Sequence, residues 1–133
     1  MPPHIRTLIV EGEGPVESPT PDGLRAAVER MGRGGPGCVI LEGCGGYASA
    51  VGGDGRYTAE WRESAGDEFR HWVAGRRDDG PGDATIPAGS FEVTVRTAEC
   101  LSASEVVAIL EAFLEGRERP ALFAWRDITD GFA

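Results

Sequence analysis

The chain has no lysine: all thirteen of its basic residues are arginine. It carries only three cysteines and two histidines in 133 residues. No apolar run approaches the roughly 18–20 residues needed to span a bilayer as a helix. Each shortage removes a class of reading. A phosphate loop needs a lysine on the phosphates and a helix behind it, so Gly43-Cys44-Gly45-Gly46 resembles one only in its glycines. An odd number of thiols without an export signal argues against a disulfide framework. Cys38 and Cys44 flank Val39-Ile40-Leu41, no Cys-x-x-Cys occurs, and neither His4 nor His71 lies at ligand spacing from a cysteine. Structural zinc is therefore not expected, and free, buried or half-buried thiols are. The opening Met1-Pro2-Pro3-His4-Ile5-Arg6 lacks the charged start and apolar stretch of a secretory signal. The expectation is a cytoplasmic protein with no membrane association.

What the chain has in excess is negative charge. Twenty-two acidic against thirteen basic residues give −9, with a pI near 4.7. Such a surface repels nucleic acid, whose binding needs clustered cations. It favours a basic partner and speeds the encounter with it. Apolar residues at 41% and charged residues at 26% are ordinary for a globular protein. The length fits one domain spanning 1–133. Twenty glycines and the all-arginine base set are consistent with a GC-rich coding bias.

The local patterns alternate between strands and helices. Ile5 to Val10 is β-prone and ends at a Gly-rich turn. Thr20 can cap a helix with Pro21 in its first turn, running to about Met31 with Leu24, Ala27, Val28 and Met31 on one face. Short turns then separate strands over Cys38–Glu42, Tyr47–Val51, Tyr57–Glu63 and Phe69–Ala74, so these should pair antiparallel. In the third, Tyr57, Ala59 and Trp61 share one face, and Thr58, Glu60 and Arg62 the other. Gly75 to Gly89 reads as a long surface loop. Phe91 to Thr97 reads as a half-buried strand with Phe91, Val93 and Val95 inward. Ser102-Ala103-Ser104-Glu105 is a capping box for a second helix, whose Val106, Ile109, Leu110, Phe113 and Leu114 repeat at helical spacing until Gly116. Ala121 to Trp125, apolar on both faces, reads as a strand inside a sheet. The fold expected is α+β: a mostly antiparallel sheet of about five to seven strands with two helices packed on one face.

Catalytic candidates are few. Glu60 could orient His71 as a general base, but no nucleophile accompanies the pair. Nothing basic near Cys44 in sequence would make it a thiolate. Neither a catalytic set, nor a metal, nor a cofactor is expected. A denser signal lies between Tyr57 and Arg77, where Tyr57, Trp61, Phe69 and Trp72 interleave with acids and with arginines that number five when Arg56 is counted. Aromatic and arginine residues anchor protein interfaces, and surrounding acids suit a basic partner. Trp61 belongs with Tyr57 and Ala59 in the core, whereas Trp72 could stand exposed.

The C-terminal half, with its capped helix ending in Phe113-Leu114-Glu115-Gly116 and then Arg117-Glu118-Arg119-Pro120-Ala121-Leu122-Phe123-Ala124-Trp125, resembles the close of the first-described immunity-protein family of bacterial polymorphic toxin systems. The Gly52-Gly53-Asp54-Gly55-Arg56-Tyr57 turn and Trp61 echo that family's central meander. The resemblance implies a non-catalytic protein that binds and neutralises a cognate toxin, commonly a deaminase encoded beside it. The surface expected to block such a basic toxin comprises Glu60, Glu63, Asp67, Glu68, Trp72, Asp78 and Asp79. The alternative is a small enzyme or ligand-binding domain with a pocket lined by His71, Glu60 and Trp72.

Overall fold

The computed structural model describes residues 6–32, 34–77 and 80–132. Nine strands and two α-helices follow one another as β1 (Thr7–Val10), β2 (Val16–Glu17), α1 (Pro21–Arg30), β3 (Cys38–Gly43), β4 (Gly46–Gly53), β5 (Arg56–Ala65), β6 (Glu68–Gly75), β7 (Asp83–Ala88), β8 (Phe91–Arg96), α2 (Ala103–Leu114) and β9 (Ala124–Asp127). Seven strands form one antiparallel sheet in the order β2-β1-β3-β4-β5-β6-β9, and β7 and β8 form a separate hairpin. The class is α+β, as the patterning implies.

Turn chemistry sets the register. Asp54 (φ 54°) and Gly55 (φ 86°) form the two-residue link between β4 and β5, the backbone a type I′ turn requires and an Asp-Gly pair supplies. Gly66 (φ 62°) opens the two-residue link between β5 and β6. Both links pin strand alternation, so every second residue of β5 faces the helices and the rest face away.

The helices cover one face. In α1 the Thr20 hydroxyl accepts from the Gly23 amide at 3.1 Å, with Pro21 in the first turn, and Leu24, Ala27 and Val28 turn inward. In α2 the capping box forms in full: Ser102 accepts from the Glu105 amide at 3.3 Å and the Glu105 carboxylate accepts from the Ser102 amide at 2.8 Å. Gly116 follows at φ 74°, the left-handed stop. Leu8, Val10, Val39, Leu41, Ala48, Ala50, Ala59 and Trp61 join both helices in the core. Trp61 meets Phe113 of α2 edge to face, centroids 5.1 Å apart.

Three expectations are corrected. Gly75–Gly89 is not one loop, because Asp83–Ala88 is β7, paired with β8 along its length. Ala84, Ile86 and Ala88 alternate with Asp83, Thr85 and Pro87, a period-two pattern that small side chains and a proline disguise. Phe91 is exposed, while Val93 and Val95 are half-buried as expected. Residues 121–125 are not an interior strand: Ala121 and Leu122 lie in a turn, Leu122 is 75% exposed, and β9 pairs only with β6 at the sheet edge. Phe123 is buried from that turn, and Trp125 donates its indole N–H to the Pro120 carbonyl at 2.9 Å. The apolar doublet thus comes from a turn folding onto the core, not from a strand with neighbours on both sides.

Candidate functional site

The pairing of β5 with β6 decides where each candidate residue lies. Directly opposed residues share a face: Trp61 opposes Trp72 on the helix side, while Arg62 opposes His71 and Glu60 opposes Val73 on the other. Trp72 is half-buried, with the Arg119 guanidinium 3.7 Å over its ring. Glu60 points to the opposite side of the sheet. Glu63, Asp67 and Glu68 stand exposed at the far end of the hairpin. Asp78 and Asp79 lie outside the described residues. The candidate residues thus do not form one patch: the sheet separates Trp72 from Glu60, and only Glu63, Asp67 and Glu68 gather.

They gather around a shallow concavity of about 640 Å³ lined by Glu63, Ser64, Ala65, Asp67, Glu68, Phe69 and Arg70. Its charge is acidic. Arg70 is turned to Asp127 at 3.3 Å, and the Asp127 carboxyl is held below its ordinary range chiefly by hydrogen bonds from Thr129, with Arg70 adding to them. Glu63 accepts from the Trp61 indole at 3.1 Å and lies 3.8 Å from Arg119. β4 pairs with β5 only as far as Glu63, and β9 reaches only Trp72 on β6, so the hairpin tip extends past both neighbours.

Beside the tip, on the face away from the helices, sits a second cluster. His71 is fully buried. Its Nδ1 accepts from Arg62 Nε at 3.0 Å, and its Nε2 lies 2.5 Å from Glu60 Oε1. Accepting at Nδ1 makes Nε2 the ring donor, aimed at the carboxylate. The His71 amide donates to Thr129 Oγ1 at 2.9 Å, and the Phe132 ring lies 4.4 Å from the imidazole. The Arg62 guanidinium in turn faces Phe69 at 4.0 Å, Phe132 at 4.7 Å and Tyr47 at 5.4 Å.

The anticipated Glu60–His71 contact is therefore present, but both ring nitrogens are engaged and Trp72 lies across the sheet. Sequence reasoning missed Arg62 as the second partner of His71, although the alternation along β5 had put it on that side. Thr129 and Phe132 gave no local signal, since the turn carrying them returns to β6 from the far end of the chain.

The thiols offer little chemistry by geometry. Burial raises the Cys38 thiol above its ordinary range, with Glu11 and Glu60 adding to it. Cys38 and Cys100 are half-buried and free, and Cys44 is free and exposed rather than buried. Burial likewise raises the Tyr47 hydroxyl, though Arg62 opposes the shift. Among the described residues, no three His, Cys, Asp or Glu side chains converge as metal ligands, and no helix is long and apolar enough to cross a membrane. Compared with known proteins, the chain matches no protein-family model and no curated sequence.

Proposed function

We propose that this chain is a binding module that neutralises a basic protein partner, as an immunity protein neutralises its toxin, by seating the tip of the β5–β6 hairpin in the partner's active site. One observation carries the reading: Glu63, Asp67 and Glu68 stand exposed around a concavity at the end of a hairpin that outruns its neighbours. A protruding acidic element on a chain of net charge −9 steers a cationic cleft toward itself and then fills it. Phe69, half-buried at the rim, and Phe132, 47% exposed beside it, supply the apolar anchors that such contacts need. The likeness of the C-terminal half to the immunity family supports the same reading. The mechanism is steric occlusion with charge complementarity, in a cytoplasmic setting and without a cofactor.

Co-expression with the C-terminal domain encoded immediately upstream tests this. Rescue from its toxicity and co-purification are expected, and both should fail when Glu63, Asp67 and Glu68 are all changed to Arg. A toxic neighbour that the wild-type chain neither binds nor relieves overturns the reading.

A further inference from the structure

The β7–β8 hairpin has two outer edges, and only one of them is blocked. The Thr97 amide donates to the Gly82 carbonyl at 2.9 Å, which fixes the phase of the ladder. Ala84 with Val95, Ile86 with Val93 and Ala88 with Phe91 are then the pairs that exchange main-chain bonds. The residues between them aim their N–H and C=O groups away from the partner strand. On β7, the outward carbonyl of Thr85 accepts from Arg56 at 3.3 Å, and Pro87 has no N–H to offer. On β8, the Arg96 amide donates to Glu99 at 3.2 Å. The outward N–H and C=O groups of Glu92 and Thr94, and the Arg96 carbonyl, meet no partner among the described residues. Glu92, Thr94 and Arg96 are exposed, and a cleft of about 290 Å³ beside Thr94, Val95 and Arg96 leaves this edge open.

The open edge is complementary to itself. Set antiparallel to a second β8 about a two-fold axis at Thr94, it brings outward residues into bonded register with outward residues. Thr94 pairs with Thr94 of the second copy, and Glu92 with Arg96 of the second copy. The Thr94 N–H donates to the facing Thr94 carbonyl and the Glu92 N–H to the facing Arg96 carbonyl, in both directions, while the Arg96 amide stays on Glu99. Glu92 and Arg96 form no ion pair among the described residues, and this register sets opposite charges across from each other at both ends. On the other face Val93 meets Val95 of the second copy, and Phe91, 52% exposed, comes within diagonal reach of it. A shift by two residues loses the charge pairing, and a shift by one sets bonded residues against outward ones.

We propose that β8 is a self-association edge, through which two copies of this chain join their hairpins into one antiparallel sheet in the order β7-β8-β8-β7. A two-stranded ribbon is marginal by itself and gains from further strands. Natural sheets block edges that are not meant to pair, as β7 does here with Pro87 and Arg56. The charge of −9 on each copy opposes the approach, and physiological salt screens that repulsion beyond about 8 Å. The edge is separate from the acidic β5–β6 tip and does not depend on the function proposed for it.

Sedimentation velocity of the full chain, from micromolar to millimolar concentration in physiological salt, tests the proposal. The mass should rise from 14.1 kDa toward its double. Hydrogen exchange at the Glu92 and Thr94 amides should slow over the same range. Glu92→Arg sets like charges opposite each other at both ends and should weaken association about tenfold. Thr94→Pro removes the central donor at a position that makes no bond to β7, so it should abolish the dimer and leave the hairpin paired. A chain that stays monomeric throughout, or a dimer that neither substitution weakens, would overturn the proposal. Protection of these two amides only when the domain encoded upstream is added would overturn it too, and would assign the edge to that partner.

Discussion

The two faces of the seven-stranded sheet come from the same strands and are held by different physics. Toward the helices, Val39, Leu41, Ala48, Ala50 and Ala59 are fully buried, and Trp61 is closed between Phe113 and Trp125. That face is joined by non-directional burial, which tolerates small adjustments and scales with area. One residue along each strand, the other face carries Glu60, Arg62, His71 and Arg126, which with Glu99 are joined by hydrogen bonds between named atoms. Such bonds specify geometry but add only modest net stability. The contrast shows how a small domain can keep its fold on one side and leave charged, shaped surface on the other.

Substitutions on each face test that contrast. Trp61→Ala should have the largest effect, about 3–5 kcal/mol lost in urea unfolding, because it empties the centre of the helix-side core. His71→Ala should cost less, about 2 kcal/mol, since Arg62 and Glu60 lose their partner but can reach solvent. If His71→Ala proved as costly as Trp61→Ala, the polar face would be a second core and the distinction would fail. Ser102→Ala, which removes the α2 cap, should cost about 1 kcal/mol.

A smaller, pH-dependent effect attaches to Glu105. Its hydrogen bond from Arg76, more than its capping contacts, lowers its carboxyl from 4.5 to about 2. The folded state therefore holds this proton more weakly than the unfolded chain does. The stabilisation is complete above pH 4.5 and disappears as the pH falls toward about 2. Glu105→Gln, which can still form the capping box, should be less stable than wild type at pH 7 and converge with it in acid. Parallel urea midpoints across that range would check this. Smallest of all, the double change of Asp67 and Glu68 to Arg should leave stability within about 0.5 kcal/mol, as exposed positions away from any network do. The same change at Glu63, which accepts from the Trp61 indole and lies 3.8 Å from Arg119, should cost more.

The same contrast explains what the sequence disclosed. The helix-side core was legible because burial writes itself as periodicity: Leu24, Ala27 and Val28 at helical spacing, Tyr57, Ala59 and Trp61 at strand spacing. Caps and turns were legible because Thr20, Ser102, Glu105 and Asp54-Gly55 act within a few residues of themselves. The polar face was only half legible. Alternation put Glu60 and Arg62 together and Glu60 within reach of His71. Thr129, which accepts from the His71 amide, and Glu99, which pairs with Arg126, arrive from distant turns, and polar pairs leave no periodic trace. Trp72 was read as interface from composition, whereas Arg119, forty-seven positions on, covers it. β7 was missed because Ala84, Ala88 and Pro87 carry little strand signal, and its pairing with β8 is what makes it a strand.

The central functional claim is that the hairpin tip is the surface that meets the partner. Hydrogen exchange of the chain, alone and in complex with the domain encoded upstream, tests it most directly. Protection confined to residues 63–70 and the turn at 129–132 is the predicted result. Protection over α1 and α2, with the tip exchanging as freely in the complex as alone, would contradict it.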